Sequence, residues 1–182
     1  MLIRGGSSSI GLGACQLAKY LGLTVISTTR KKEKEVFLKE NGADHVIIDD
    51  GKIYENVKGL FPEGVDKVLE LVGPVTLKDS LKCIKPLGIV CMTGALGNEW
   101  SLKNFSPMSD IPLLGRLTNY GSDPGSLDNE DLQNYIDNIQ KGKIKLITDK
   151  VFKLQNIVEA HKYLESNEAR GKVVVITDGQ EN

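Results

Sequence analysis

The chain has 182 residues, of which 40% are hydrophobic and 26% are charged, so it can bury a core and remain soluble. Its 23 basic and 24 acidic residues give a net charge of −1, which excludes the strongly basic class of nucleic-acid and membrane-surface binding proteins. Three scattered cysteines exclude a disulfide framework and a Cys-x-x-Cys metal site, and no run of residues reaches the roughly 18 to 20 apolar residues of a membrane span. We therefore predict a cytoplasmic protein that holds no metal, binds no nucleic acid and inserts into no membrane.

Apolar runs alternate with segments of helical periodicity along most of the chain. Strands are predicted near residues 1–4, 24–29, 45–49, 66–72, 88–93 and 116–120. Helices are expected between these strands, because apolar residues recur there at intervals of three and four. This alternation predicts an α/β fold, a doubly wound parallel sheet of six strands with helices on both faces.

The helices have recognisable apolar faces and ends. In the first helix the apolar positions expected to pack on the sheet are Ile10, Ala14, Leu17, Ala18 and Leu21. Gly22 and Gly42 are expected to end the first and second helices in the left-handed conformation. A later helix, with Val75 near its start and Ile84 near its end, is predicted to stop before Pro86, with the next strand beginning at about residue 88.

The later part of the chain is less regular. Residues 95–114 contain the only tryptophan and two prolines without a clear period, which predicts a long loop of the kind that is often functional. A turn is predicted at residues 122–125 and a polar helix at about residues 128–141, with Gly142 after it. A strand from residue 150, a helix over residues 156–166 and a strand from residue 172 complete the chain.

A glycine- and serine-rich stretch follows the first predicted strand. Residues 6–11, Gly6-Ser7-Ser8-Ser9-Ile10-Gly11, have the spacing of the G-x-G-x-x-G dinucleotide-binding pattern, with Ser8 at the middle glycine. The first glycine permits a tight turn, the last permits close packing of helix and strand, and the middle position requires only a small residue. We predict that this loop binds a pyrophosphate at the helix N-terminus, where the Ser8 hydroxyl could donate a hydrogen bond. An ordinary strand-to-helix turn without a ligand is the alternative.

The end of the second strand, S-T-T-R-K-K-E-K, indicates which dinucleotide would bind. A ribose 2′-hydroxyl is usually bound by an acid about 20 residues beyond the glycine loop, whereas a 2′-phosphate is bound by a basic group. Thr29 occupies the expected acid position, and Arg30, Lys31 and Lys32 follow, with Lys34 close by. The cations favour NADP over NAD, because a 2′-phosphate would offset positive charge at the start of a helix. A merely solvated cationic helix start is the alternative.

Several longer motifs occur in a fixed order over nearly the whole chain. They are G-G-S-S-S-I-G-L-G-A-C-Q-L-A-K-Y-L-G-L-T-V-I-S-T-T, E-N-G-A-D-H-V-I, G-V-D-K-V-L-E-L-V-G, I-K-P-L-G-I-V and A-H-K-Y-L-E-S-N-E-A-R-G-K-V-V-V. In this order they resemble the zinc-type alcohol dehydrogenase-like proteins of the medium-chain dehydrogenase/reductase superfamily, in particular the NADPH quinone oxidoreductase-like branch.

This resemblance implies a domain organisation. Residues 1–148 would form an NAD(P)-binding Rossmann domain, and residues 149–182 a segment that rejoins an N-terminal catalytic domain. Because the chain begins at the first Rossmann strand, we expect it to be the C-terminal half of such an enzyme, without most substrate contacts and any zinc ligands. We expect this half alone to bind nucleotide with little turnover.

The resemblance also implies cofactor contacts and a reaction. The implied contacts are Gly6, Ser8, Ser9, Ile10 and Gly11 at the pyrophosphate, Arg30 and Lys34 near the 2′-phosphate with Thr29 beside them, Val72 and Gly73 at the adenosine ribose, and Gly94 and Ala95 beside the nicotinamide. The implied reaction is hydride transfer from NADPH to a quinone or an activated alkene. No catalytic residue is assigned in this chain.

Asp49 departs from the pattern, because many relatives have a tyrosine there. An acid near a 2′-phosphate would repel it, so NAD stays open as the cofactor. Two other functions also stay open. One is a dinucleotide-binding module without catalysis. The other is a short-chain dehydrogenase, suggested by the Y-x-x-x-K spacing of Tyr54 and Lys58 but opposed by Ser7, which stands where that family's glycine loop begins.

The predicted strand near Leu117 and Tyr120 would lie at an edge of the sheet. Relatives commonly pair this strand across a two-fold axis. We therefore expect a homodimer that forms through this edge.

Overall fold

A computed structural model describes residues 1–121, 128–166 and 168–177 of the chain. The turn predicted at residues 122–125 lies outside the described residues. No helix in the described ranges is long and apolar enough to cross a membrane.

A parallel sheet of six strands forms the centre of the molecule, as predicted. The strands are β1 (Leu2–Arg4), β2 (Ile26–Thr29), β3 (His45–Ile48), β4 (Val65–Glu70), β5 (Ile84–Met92) and β6 (Arg116–Asn119). Their spatial order is β3-β2-β1-β4-β5-β6. The strands β2 and β3 lie on one side of β1, and the strands β4, β5 and β6 lie on its other side, so the order of the strands switches between β1 and β4. Open α/β sheets bind ligands at the carboxyl ends of the strands beside such a switch point.

Helices cover both faces of this sheet, again as predicted. The described residues contain the helices α1 (Ser9–Tyr20), α2 (Glu35–Glu40), α3 (Tyr54–Leu60), α4 (Pro74–Lys82), α5 (Pro107–Asp110), α6 (Asn129–Gln140) and α7 (Ile157–Glu165), of which α7 contacts the smaller C-terminal sheet. Successive side chains of a strand point to opposite faces, so Leu2 packs in a core cluster with Val57 of α3 and Leu81 of α4, whereas Ile3 packs with Leu12 of α1 on the other face.

The first helix packs on the sheet through only part of the predicted face. Ala18 is buried and Ala14 packs against the core, as predicted, but Leu12 and Cys15 complete the buried face, whereas Ile10 is 60% exposed and Leu21 is 57% exposed. Ile10 lies in the first turn beside the glycine loop, where Gly11 rather than a large side chain meets the strand ends. Gly22 ends this helix with a φ of 74°, as predicted, and Gly42 and Gly142 follow α2 and α6 with φ values of 104° and 69°.

The junction between α4 and β5 also differs from the prediction. The helix ends at Lys82 and the strand already begins at Ile84, so Pro86 lies within the strand. This is possible because the pairing of β4 with β5 shifts register between Val65 and Lys67, and Leu87 adopts a φ of 65°. A proline, which cannot donate a ladder hydrogen bond, is tolerated at such an irregularity.

The C-terminal part forms a second, smaller sheet. β7 (Thr148–Lys153) and β8 (Lys172–Ile176) pair in parallel, with α7 between them in sequence. Ile147, just before β7, packs against the core cluster of Ile3 and Leu12. Residues 95–114 form the predicted long loop, interrupted only by the four residues of α5.

Candidate nucleotide-binding site

The glycine loop joins β1 to α1 by a tight turn. Gly5 has a φ of 83°, and the Ser8 amide donates a hydrogen bond of 3.0 Å to the Gly5 carbonyl. Ser8 is the N-cap of α1, because its Oγ accepts a hydrogen bond of 3.1 Å from the Gly11 amide. The Ser8 hydroxyl can still donate its own proton. The helix N-terminus is therefore formed by a residue that can cap it and also bind an anion.

Gly6 and Gly11 are required by close backbone packing. A Cβ at Gly11 would lie 2.6 Å from the Gly5 carbonyl oxygen and 2.6 Å from the Gly6 Cα. At Gly6 it would lie 3.2 Å from the Thr28 amide nitrogen and would overlap the Ser27 hydroxyl. The first turn of α1 thus lies directly on the loop, and the loop on β2. Close packing was predicted for the last glycine, Gly11, whereas the positive φ of the tight turn falls at Gly5 and not at Gly6, the first glycine of the pattern.

The loops after β4 and β5 approach the glycine loop from the other side. Gly73 has a φ of 99°, and a Cβ there would lie 2.8 Å from the Gly94 carbonyl oxygen. A Cβ at Gly94 would lie 2.5 Å from the Leu71 carbonyl oxygen. The structure therefore brings the predicted residues Val72, Gly73, Gly94 and Ala95 together as one backbone surface at the carboxyl edge of the sheet. We call this surface the cradle; Gly73 and Gly94 pack so closely on other backbone that no side chain fits at either position.

The carboxyl end of β2 is cationic. Thr29 is buried and its Oγ1 accepts a hydrogen bond of 3.2 Å from the Lys31 amide, so its side chain closes the turn after the strand. Arg30 is exposed. Lys34 reaches across to the C-terminal segment, where its Nζ donates to the Ala169 carbonyl over 3.4 Å. The predicted basic residues therefore follow β2 directly.

Lys34 lies close to other positively charged side chains. Burial, then the nearby charges of Lys31 and Arg170, lower the pKa of its ammonium, and Glu33 and Asp149 oppose this shift only in part. Arg170 was missed by the sequence analysis. The Arg170 backbone amide donates a hydrogen bond of 3.0 Å to the Asp149 carboxylate. The preceding residue, Ala169, accepts the hydrogen bond from Lys34, so Arg170 lies close to Lys34. No local signal could have found it, because it follows Lys34 by more than a hundred residues.

A free acid near the cations after β2 was expected at Asp49. The structure instead pairs the Asp49 carboxylate with Arg4. This carboxylate forms two hydrogen bonds of 2.9 Å with the guanidinium of Arg4, and the Asp49 side chain is 7% exposed. Burial raises the pKa of Asp49, but the hydrogen bond and the charge of Arg4 lower it further, so that the pKa lies below its ordinary value. Asp49 is therefore a paired acid, and not the free acid on which the expected repulsion of a 2′-phosphate depends.

Arg4 was also missed, because an arginine that ends a short apolar strand reads as a surface residue. Its side chain is fully buried. Besides Asp49 it contacts the Asp79 carboxylate at 2.7 Å and the Ser80 hydroxyl at 3.1 Å, both on α4. Burial alone would lower the pKa of Arg4, but its acidic partners raise it overall. Arg4 thus joins the end of β1 to the end of β3 and to α4.

Glu70, the last residue of β4, is a second buried charged group. One carboxylate oxygen accepts hydrogen bonds from the amides of Val72 (2.8 Å) and Gly73 (3.0 Å), and the other accepts one from the Ser80 hydroxyl. Burial raises the pKa of Glu70, and these hydrogen bonds oppose the rise. Glu70 therefore fixes the turn that places Val72 and Gly73 in the cradle.

Comparison with known proteins identifies the family. Residues 41–175, more than half of the chain, match the family model described as zinc-binding dehydrogenase. The chain belongs to this family. Within the medium-chain dehydrogenase/reductase superfamily it lies in the NADPH quinone oxidoreductase-like branch, as the sequence motifs implied.

Individual relatives agree with this placement. The chain is 29% identical over 178 residues to an acryloyl-coenzyme A reductase of Sulfurisphaera tokodaii, covering 96% of this chain and 50% of the relative. It is 26% identical over 188 residues to human quinone oxidoreductase, covering 97% and 54%. A mycobacterial structure in complex with NADPH superposes with a TM-score of 0.81 at 25% identity, covering 96% and 55%. The chain thus spans about half the length of the curated relatives it matches.

Two further features are clarified by family membership. The short-chain dehydrogenase alternative is wrong, and Tyr54 and Lys58 lie on α3, with the Lys58 Nζ 6.0 Å from the centre of the Tyr54 ring. In the described ranges, no group of three or more His, Cys, Asp or Glu side chains is placed to hold a metal ion. The described residues therefore do not fit a zinc site, despite the family's name.

Proposed function

We propose that this chain binds NADPH at the carboxyl edge of its six-stranded sheet and forms the cofactor-binding half of an oxidoreductase of the quinone or enone reductase type. The observation that supports NADPH most directly is the positive charge around Lys34. Lys31 and Arg170 both contribute to it, and Thr29 stands where an NAD-binding site would have an acid.

Each part of the dinucleotide has a matching surface. We propose that the pyrophosphate is bound at the N-terminus of α1 by the backbone around Ser8, Ser9, Ile10 and Gly11, with Gly6 giving the close approach. We propose that Val72 and Gly73 of the cradle contact the adenosine ribose and that Gly94 and Ala95 lie beside the nicotinamide, because this surface is mostly backbone and lies at the carboxyl edge of the sheet. Arg30, Lys34 and Arg170 are proposed to bind the 2′-phosphate, for which cationic side chains supply charge-assisted hydrogen bonds.

The relatives suggest the reaction. Their printed names are quinone oxidoreductase and acryloyl-coenzyme A reductase, and one structural relative is a complex with NADPH. When bound, NADPH supplies a hydride, and the protein positions the nicotinamide and keeps water away from it. We propose the same class of reaction for the whole protein to which this half corresponds, with a quinone or an activated alkene as acceptor.

The organisation of the whole protein is part of the proposal. We propose residues 1–148 as the cofactor domain and residues 149–182 as a segment that joins it to a catalytic domain. We propose a cytoplasmic homodimer that pairs through β6, since β6 is an edge strand in the described sheet. Light scattering would test this, and a monomer at micromolar concentration would contradict it.

The cofactor proposal is tested by ligand-dependent stability. A ligand that binds only the folded state raises the free energy of unfolding, by about 2.7 kcal/mol at 100 times its dissociation constant. We expect NADPH to raise the unfolding temperature more than NADH at equal concentration, and 2′,5′-ADP more than 5′-AMP. Equal shifts within each pair would contradict the preference for a 2′-phosphate, and no shift with any of the four would contradict nucleotide binding itself.

Charge variants make the test specific to the site. Lys34→Gln and Arg170→Gln should each weaken NADPH binding by roughly fivefold to tenfold while changing NADH binding by less than twofold, because only NADPH has the 2′-phosphate. Lys39→Gln is the matched control, since Lys39 follows Lys34 closely but pairs with Glu35 at 2.8 Å. If Lys39→Gln weakens NADPH binding as much as Lys34→Gln does, the effect comes from overall charge and not from this site.

A further inference from the structure

Two parallel hydrogen bonds join the guanidinium of Arg4 to the carboxylate of Asp49. The Nε of Arg4 donates to Oδ2 of Asp49 and its Nη2 donates to Oδ1, both over 2.9 Å. This is the bidentate arrangement in which a guanidinium matches a carboxylate best. Oδ1 also accepts from the Gly51 amide at 2.9 Å, and Oδ2 from the Thr28 hydroxyl at 3.2 Å. Each carboxylate oxygen of Asp49 therefore accepts two hydrogen bonds from the protein.

The backbone of Asp49 lies beside the end of β2, next to the residues proposed to bind the 2′-phosphate, whereas its carboxylate bonds to Arg4. The Asp49 amide donates a hydrogen bond of 2.8 Å to the carbonyl of Thr29, the residue at the expected acid position of β2. The carboxylate itself is held by Arg4, the Gly51 amide and the Thr28 hydroxyl, and its side chain is 7% exposed. It is therefore not a free acid at the edge where Arg30 and Lys34 follow.

We propose that Arg4 is a positioning residue that sets the cofactor preference by holding the carboxylate of Asp49 paired. This inference rests on the proposed binding of NADPH. An acid at the ribose accepts a hydrogen bond from the 2′-hydroxyl of NADH and repels the 2′-phosphate of NADPH. An unpaired Asp49 could do both, so the chain would move towards NADH if Arg4 released it.

The sharpest test is Asp49→Asn, which removes the acid and keeps a side chain able to accept the Gly51 hydrogen bond. Dissociation constants for NADPH and NADH are measured by fluorescence titration of the purified chain. Because Asp49 is already paired with Arg4 and its side chain is buried, we expect the ratio of the two constants to stay within about twofold of the wild-type ratio. A selective gain in NADPH affinity of roughly tenfold would show that Asp49 acts as a free charge, and would overturn the inference.

Arg4→Gln supplies the opposite arm. We expect it to weaken NADPH binding by roughly tenfold more than NADH binding, and we expect the double variant Arg4→Gln with Asp49→Asn to restore the wild-type ratio. Equal weakening of both cofactors in folded Arg4→Gln protein would mean that Arg4 is merely structural. If Arg4→Gln does not fold, Arg4→Lys takes its place: it keeps a cation but loses the bidentate pairing, so NADPH binding should still weaken more than NADH binding, and equal weakening of both would overturn the inference.

The salt dependence of NADPH binding provides a second measurement, which needs only the wild type and Asp49→Asn. If Asp49 is neutralised, raising the salt concentration should weaken NADPH binding by the same factor in the wild type and in Asp49→Asn. A different salt dependence in the variant would contradict the inference. Wild-type protein that bound neither cofactor would instead contradict the proposed function, so the two failures are distinguishable.

Discussion

The carboxyl ends of β1 and β2 are neighbours in the sheet but are constructed in opposite ways. After β1 the chain is closely packed, and Gly6 and Gly11 are held where no Cβ fits. After β2 the chain is open and charged, with Arg30, Lys31 and Lys32 exposed. Beneath both, a buried ion pair joins Arg4 to Asp49.

This difference shows how one edge of a sheet can divide a binding task. Backbone amides at the β1 loop can bind any pyrophosphate, since that group is common to all dinucleotides, and the loop tolerates little change because its contacts are between backbones. The cations after β2 would read the one group that distinguishes NADPH from NADH. Side-chain charge there can change without disturbing the packing. Substitutions in the glycine loop after β1 should therefore act on stability and on both cofactors alike, and substitutions of the cations after β2 should act on cofactor choice.

The largest expected effect is at the buried ion pair. Arg4→Gln leaves the carboxylates of Asp49 and Asp79 without their main partner, which should reduce the free energy of unfolding by about 3 to 5 kcal/mol. Urea unfolding measures it. Lys19→Gln is the control, since the pair of Lys19 with Asp44 is 40% and 33% exposed and should contribute about 1 kcal/mol or less. Equal losses in the two variants would contradict the role of burial.

An intermediate effect is expected at the glycine loop. Gly11→Ala forces the first turn of α1 away from the backbone of Gly5 and Gly6, which should cost about 1 to 3 kcal/mol of stability and abolish the stabilisation by both NADPH and NADH. Gly13→Ala is the control two residues further along the same helix. A Cβ there meets nothing within 4 Å, and we expect it to stabilise the protein by about 0.5 to 1 kcal/mol. If Gly11→Ala keeps cofactor binding, the loop does not bind the pyrophosphate as proposed.

The smallest effect concerns the pH dependence of stability, where Asp49 and Glu70 should act in opposite directions. The pKa of Asp49 is lowered on folding from 3.8, so its contribution is present above about pH 3.8 and is lost as the pH falls through the folded value. The pKa of Glu70 is raised from 4.5, so its contribution is present at low pH and is lost as the pH rises through 4.5 towards the folded value. Each pKa unit of difference corresponds to about 1.4 kcal/mol.

Two variants separate these contributions in urea unfolding from pH 2.5 to pH 8. Asp49→Asn should lose less stability than the wild type on acidification below pH 4. Glu70→Gln should gain stability relative to the wild type as the pH rises from 4 to 7. Curves that diverge from the wild type in the same direction would contradict one of the two pKa shifts.

Much of the fold could be predicted because its signals are local. The six strands and their helices follow from periodicity, and the left-handed ends at Gly22 and Gly42 follow from the absence of a Cβ. The errors arose where packing overrode a local signal. Ile10 had the spacing of a core residue but lies beside the loop, and Pro86 was read as the end of a helix although a register shift accommodates it inside β5.

The candidate site divides in the same manner. Its glycine loop and the cations after β2 were visible as residue types at a known spacing, so the sequence by itself determined a Rossmann sheet with a glycine loop and a basic neighbour. Only the tertiary structure decided that Arg4 pairs with Asp49 and that Arg170 lies beside Lys34. These contacts join residues far apart in the chain, and whether a charge is buried and paired or free depends on strand register and on which elements cover it.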